Sequence, residues 1–379
     1  MAGVYSPAME DRGNRPSHGW SGRWRLCTAV AVVMAVFLLR HAHGPAQQTS
    51  LSAVTSAAGA GTSQKTSMSA AGAAASQPNS QPGDTVQVTL LHVNDTHGQL
   101  QPKTSPGKST GGVARLATAV EEVRSAGGAR RVFLIHCGDE FSRGNALTRR
   151  SGGAANVTLM NHLKFDFWTP GNGEFYGDLD TLQKRFAEAR FPVLAANVKL
   201  RATGRLLGRE YIIDRAGAVR IAFFGLCQVK DETGAGAAVE QTDPIATARE
   251  LVPRLAKQAD VVVAVTHIGM LEDMQLATSV AGIDVILGAH THTVLKNGFR
   301  TQGPDGKDVL ICQAGDNYRF LGRVDLSLAP QDVGYRVAEA KAQLIPLDAS
   351  IRLDPTVTAL LARLSGATSR RSAGAATGK

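Results

Sequence analysis

The chain has 379 residues, 41 Lys and Arg against 32 Asp and Glu, and a formal net charge of +9. That length allows two domains, but neither end reads as folded, so the count falls to one core. The basic balance favours anionic substrates or membrane surfaces and excludes specific nucleic-acid binding as the reading: many arginines precede the core, and the core has no interleaved aromatic and basic series.

Arg12, Arg15, Arg23 and Arg25 precede the apolar run LCTAVAVVMAVFLL, Leu26 to Leu39. The run is shorter than the roughly twenty residues of a membrane-crossing helix, and a basic flank before such a run is the pattern of an export signal. Residues 1–43 are therefore expected to be a signal peptide, with Ala42, Gly44 and Ala46 offering small residues for cleavage. Arg40 and His41 make that site imperfect, so an uncleaved anchor holding the chain to a membrane through residues 26–39 stays open. Either way the expected location is exported, periplasmic or extracellular. Residues 44–84, rich in Ala, Ser, Gln and Pro, have little to bury and are expected to be a disordered linker. The folded domain is expected over 85–349, followed over 350–379 by a C-terminal helix and a disordered tail, SGATSRRSAGAATGK.

Within the core, apolar strand-like runs alternate with helix-period segments. VQVTLLHVN, RVFLIHCG, FPVLAANV, RIAFFGLC, DVVVAVTHIG and IDVILGAH read as strands, and GGVARLATAVEEVRSAG and DPIATARELVPRLAKQ as helices. Continuous Val, Ile and Leu runs need cover on both faces, which predicts an α/β layered fold. VLICQAG, FLGRVDLSLA and YRVAEAKAQLIPLD follow without long helices between them, and an antiparallel meander closing one side is expected. Beyond Cys27, the odd number of cysteines, Cys137, Cys227 and Cys312, leaves at least one unpaired, and their apolar settings predict burial instead of disulfide or metal roles.

Polar residues collect where the strands stop. Asp95 and His97 follow the first strand, Asp139 the second and Asn172 the stretch FDFWTPG; His267 ends DVVVAVT, and His290 and His292 follow DVILGA. Ligands of open α/β sheets bind beyond the carboxyl ends of strands, so these residues are expected to converge. Two aspartates, an asparagine and four histidines form an oxygen and imidazole set suited to Mn, Zn or Fe. They exceed one tetrahedral ion; two divalent metal ions sharing one carboxylate account for the number and can grip a phosphoryl group from both sides.

The segments LLHVNDTHGQLQP, GGVARLATAV, CGDEF, GNGEF, FPVLAANV, VTHIG, GIDVILGAHTHT and QAGDNYRFLGRVDL, in this order, resemble the calcineurin-like metallophosphoesterases, and among them the catalytic domain of the secreted 5'-nucleotidase and 2',3'-cyclic phosphodiesterase family. The resemblance implies a four-layer sandwich of two mixed β-sheets flanked by helices. It also implies that Asp95, His97 and His292 hold one metal, that Asn172, His267 and His290 hold the other, and that Asp139 bridges them. Asp139 and Asn172 would thus serve catalysis, in which a metal-bridging hydroxide attacks phosphorus in line. Glu174 and His136 are placed behind the ligands, Glu174 either orienting a ligand or capping a loop.

One motif departs from the family. The residue after Asn172 is Gly173 where the family has a histidine, and Tyr176 stands where its orienting aspartate would fall; Asp178 serves only if the loop shifts. His136, His92 and His162 read as structural. The activity expected is hydrolysis of nucleotides or other small phosphate esters in nucleotide catabolism, slowed but not abolished by the missing histidine, whose kind contributes about 10² to 10⁴ in rate. Two other readings remain: a thiosulfohydrolase-like enzyme acting on a sulfur ester, and a metal-containing binding protein impaired in turnover.

Overall fold

The near-continuous burial along the first strand already requires two covered faces. In β1 (Val86–Val93), seven of the eight residues are buried, Gln87 being the exception. The computed structural model describes residues 84–376 apart from 127–130, 142–143 and 230–232, all within one compact unit, Ala74–Lys379. The expected export segment or anchor and most of the expected linker lie outside the described residues. Among the described residues no helix is long and apolar enough to cross a membrane.

The further strands are β2 (Lys103–Ser105), β3 (Lys108–Thr110), β4 (Arg131–His136), β5 (Phe167–Trp168), β6 (Val198–Leu200), β7 (Tyr211–Ala216), β8 (Val219–Cys227), β9 (Val239–Gln241), β10 (Val261–His267), β11 (Val285–Leu287), β12 (Phe299–Gln302), β13 (Asp308–Cys312), β14 (Phe320–Pro330) and β15 (Tyr335–Pro346). The helices are α1 (Val113–Ser125), α2 (Ala146–Ser151), α3 (Ala154–His162), α4 (Leu179–Glu188), α5 (Gly234–Ala237), α6 (Pro244–Leu255), α7 (Met270–Ser279) and α8 (Pro355–Ala376).

Two mixed sheets form. The first is five-stranded, β15-β14-β1-β4-β5, with β1, β4 and β5 parallel and β14 antiparallel to β1. The second is six-stranded, β12-β13-β11-β10-β8-β7, with β8, β10, β11 and β13 parallel. Val88, Leu90, Phe133 and Ile135 of the first sheet join Phe223, Val263, Val265 and Leu310 of the second in one apolar layer. On the outer face of the first sheet, Leu91, Val93 and Leu134 meet Leu116, Leu159 and Leu360 from α1, α3 and α8. Phe224, Val262 and Ala264 meet Leu251, Leu255 and Leu276 of α6 and α7 on the other. Each such buried side chain contributes roughly 1.5–3 kcal/mol of transfer free energy, and three stacked apolar layers define the expected four-layer α/β sandwich.

Three expectations change. The last three strands are not one meander: β14 and β15 pair in the first sheet, whereas β13 lies parallel to β11 in the second. The chain crosses between sheets over residues 313–319 and brings that turn to the strand ends. Residues 191–197 of FPVLAANV form only isolated bridges, Val193 to Trp168 and Leu194 to Arg209, and only its last residue, Val198, enters a strand, β6. Its donors divide between the sheets, Leu194 N to Trp168 O and Ala196 N to Gly225 O, both at 2.8 Å, so no single ladder can grow. Finally, α8 continues through Ser365–Ala376 where a disordered tail is expected; alanine and arginine are strong helix formers, and the helix is already anchored by Val357, Leu360 and Leu361. The three core cysteines are buried and free, as expected.

Candidate metal centre

The strand ends turn sharply to present their polar residues. Asp95, His97, Asp139, His290 and His292 have φ of 49°, 48°, 57°, 78° and 55°, five of the eight non-glycine residues described in the left-handed region. Such conformations cost about 1–3 kcal/mol each, so the strain concentrates where the side chains are aimed. Two glycines allow the loops to close on one another: a Cβ on Gly171 would stand 2.3 Å from Asp139 Oδ1, and one on Gly138 would stand 2.5 Å from His267 Nδ1.

Five of the expected site residues form two overlapping groups able to hold a metal ion, Asp95 with His97 and His292, and Asp95 with Asp139 and His267. His292 Nε2 lies 3.4 Å from Asp95 Oδ1 and 3.1 Å from His97 Nε2, and His97 Nδ1 lies 3.7 Å from Asp139 Oδ2. His290 stands edge-on to His267, ring centroids 5.2 Å apart, and its backbone N–H donates to Asp95 Oδ2 at 2.9 Å. Asn172 opens the 3-10 helix Asn172–Tyr176, and the next N–H, of Gly173, donates to Asp139 Oδ1 at 2.7 Å. The structure therefore gathers all seven expected residues at one edge of the sandwich. Asp95 and Asp139 both stand among the histidines of the two groups.

The donor set fits divalent cations. His267 Nδ1 is 2.8 Å from the Cys137 carbonyl, to which it donates, leaving Nε2 as an acceptor. That lone pair faces Asp139 Oδ1 at 3.5 Å and Asp95 Oδ1 at 3.8 Å. An acceptor aimed at two carboxylates is repulsive without a positive group between them. His267 Nε2, Asp95 Oδ1 and Asn172 Oδ1 are all buried without a hydrogen-bond partner. Burial alone would raise the Asp95 carboxyl, but positive charge at His267 and hydrogen bonds from His292 and Asn94 outweigh it and hold it at about 2, so the carboxylate stays charged here only with a positive group beside it. The site thus carries a carboxylate and orphaned acceptors that a cation would satisfy.

Supporting residues lie behind these. Glu174 is buried and accepts backbone N–H groups from Gly171, Glu140, Asp139 and Phe141 at 2.6, 2.8, 2.9 and 3.1 Å, which fixes the loops after β4 and β5 to each other. Burial, reinforced by Asp139, nevertheless raises its carboxyl. His136 does not reach the edge; its Nδ1 accepts from Gly138 N at 3.1 Å and its Nε2 lies 3.1 Å from Glu140 Oε2. Asp178 is no substitute for the missing aspartate, because it caps α4 through Thr181 N at 2.7 Å. His162 is exposed at the end of α3, and His92 is buried inside β1.

Sequence reasoning missed several members. Glu140 gathers the Tyr318 hydroxyl at 2.9 Å and Asn156 Nδ2 at 2.8 Å, together with Thr96, beneath the edge. Gln313 accepts from Thr293 N at 3.1 Å and donates to Ala289 O at 3.1 Å, fixing the loop that carries His290 and His292. Asp316, 3.7 Å from His292 Nδ1, orients that ring. Tyr176 accepts from Asn172 Nδ2 at 2.6 Å. Their only signal was proximity to the motifs: Glu140 sits within CGDEF, and Gln313, Asp316 and Tyr318 within QAGDNYRF.

Calcineurin-like phosphoesterase is the family whose pattern matches residues 88–294. The snake venom 5'-nucleotidase of Naja atra is 30% identical over 312 residues, covering 73% of this chain and 56% of that protein. The chain spans about half the length of the nucleotidases it matches. The crystal structure of a 5'-nucleotidase precursor from Thermus thermophilus superposes with a TM-score of 0.68 at 27% identity, over 75% of this chain and 59% of that one. A sulfate thiohydrolase from the same organism shares the fold at a TM-score of 0.64 and 20% identity, over 73% of this chain and 60% of that one. With more than half of its length matched, the chain belongs to the calcineurin-like phosphoesterases.

Proposed function

We propose that the chain is an exported two-metal hydrolase of small phosphate esters, nucleotides among them. The observation that carries this reading is the orphaned set of Asp95 Oδ1, Asn172 Oδ1 and His267 Nε2, buried together and without partners. Asp95, His97 and His292 would hold one cation and Asn172, His267 and His290 the other, with Asp139 between them. Bound there, two divalent ions would make a nucleophile available near neutral pH and neutralise charge on the phosphoryl group. The chain's own residues do the positioning. Gly173 N–H fixes one Asp139 oxygen, Cys137 O fixes the His267 tautomer, and Glu174 locks the two loops against each other. Export rests on the basic flank and apolar run of residues 12–39.

The full chain, supplied with manganese, is expected to hydrolyse p-nitrophenyl phosphate, bis-p-nitrophenyl phosphate and AMP. Asp139→Ala should reduce turnover to background. Gly173→His should raise turnover of AMP, whose leaving group is poor, by up to about 10²-fold, and that of the nitrophenyl esters less. Activity surviving in Asp139→Ala, or a wild type that binds no metal, would sink the reading. Turnover of a sulfur ester but of no phosphate ester would replace it with the thiosulfohydrolase-like alternative.

A further inference from the structure

Tyr176 is the residue on which the departure from the family motif turns. It is 43% exposed although it closes the 3-10 helix that begins with the buried Asn172, so it stands at the rim of the site. Its hydroxyl oxygen accepts from Asn172 Nδ2 at 2.6 Å. That bond holds one end of the amide at the phenol and leaves the other, Oδ1, as the buried acceptor without a partner. A primary amide not held in this way is free to swing its plane, and the acceptor a cation requires is then not kept in place.

The same bond has a second consequence. Because the phenolic oxygen is the acceptor, its own O–H proton is not spent on Asn172 and remains available for an acceptor at the rim. Gly173 has no side chain to offer there, and Asp178 is engaged by Thr181 N in capping α4. Asn172 and Tyr176 are thus a linked pair, one end buried beside Asp139 and His267 and the other at the surface.

We propose that Tyr176 is a positioning residue for Asn172 and the hydrogen-bond donor that this site offers to a phosphoryl oxygen, in the place left by Gly173. The inference rests on the phosphoester reading above and names the residue that orients its anion. A phenol gives one neutral hydrogen bond where a histidine would bring a charge, so the site holds a phosphate by this contact without adding a positive group.

Tyr176→Phe in the full chain tests both parts. Removing the oxygen leaves the buried Asn172 Nδ2 without its partner, so the metal-free melting temperature should fall slightly while the far-ultraviolet circular dichroism is retained. Calorimetry should show one of two manganese affinities reduced by about tenfold, since outer contacts to ligands are worth about that much. Affinity of the manganese-loaded protein for inorganic phosphate should also fall, by about tenfold, as for one hydrogen bond to a charged acceptor. An affinity for either manganese or phosphate equal to that of the wild type overturns the proposal. If the wild type turns over no ester but both affinities still fall in Tyr176→Phe, this inference stands and the hydrolase reading fails. An active wild type with equal affinities in the variant leaves the hydrolase reading standing and overturns the role of Tyr176.

Discussion

His92 shows what separates a structural histidine from the proposed ligands a few residues away. It lies on the face of β1 that also carries Val88 and Leu90, opposite Gly322 of β14, and its Nδ1 has no partner. A Cβ on Gly322 would stand 2.1 Å from His92 Nε2, so the glycine exists to admit the ring. Burial lowers the His92 pKa from 6.5 to about 4. Between those values the unfolded chain binds a proton that the folded one refuses, so stability rises with pH there. The contribution is full above pH 6.5 and is lost as pH falls toward 4. At pH 5 the loss is about 2 kcal/mol relative to pH 8. Urea unfolding of the wild type and His92→Leu across this range should give profiles that differ by that slope, whatever the fixed cost of the substitution. Parallel profiles would mean that the folded chain protonates the ring as readily as the unfolded one does.

At the level of elements, the site is a set of loops pressed together more closely than side chains normally permit. The turn after β5 runs past Asp139 and His267 through Gly171, whose missing Cβ would overlap Asp139 Oδ1 and, at 2.6 Å, His267 Cε1. Gly171→Ala should therefore displace both residues, lowering manganese affinity by about 10- to 100-fold while the far-ultraviolet circular dichroism is retained. Equal affinity would show that the loops can yield. Such closeness explains how much was legible in advance. The convergence of Asp95, Asp139, His267 and His290 was legible because they interrupt or end apolar runs at places where no packing role suits them. The sheets were legible for the same reason: VVVAVTH and VQVTLLHV can only be covered on both faces. The choice of sheet was not, since VLIC would pair equally well with either, and only the crossover over residues 313–319 decides it. The Asn172 to Tyr176 bond was also hidden, because it depends on the 3-10 winding of a segment that carries no strong period.

The whole molecule joins two sheets whose buried ionisable side chains meet at this edge. Asp95, His97, Asp139 and Asn172 come from the first sheet's strand ends, and His267, His290 and His292 from the second's. Between their facing surfaces the sheets touch largely through Val, Leu, Ile and Phe, packed closely over the whole layer. Cations at the edge would add a polar fastening of one sheet to the other, lost when the sheets separate on unfolding. Without them, the Asp95 and Asp139 carboxylates share the edge with only the His267 ring between them and favour opening. Manganese at 100 times its dissociation constant should add about 2.7 kcal/mol per site to stability, seen as a rise in melting temperature that a chelator reverses. Asp139→Ala removes one of the opposed carboxylates, so its metal-free form should be at least as stable as the wild type while the manganese increment shrinks or vanishes. The two effects have opposite signs and identify a residue kept for the ions instead of the fold. If Asp139→Ala lowers stability equally with and without manganese, the carboxylate serves packing, and the edge does not couple the sheets through metal.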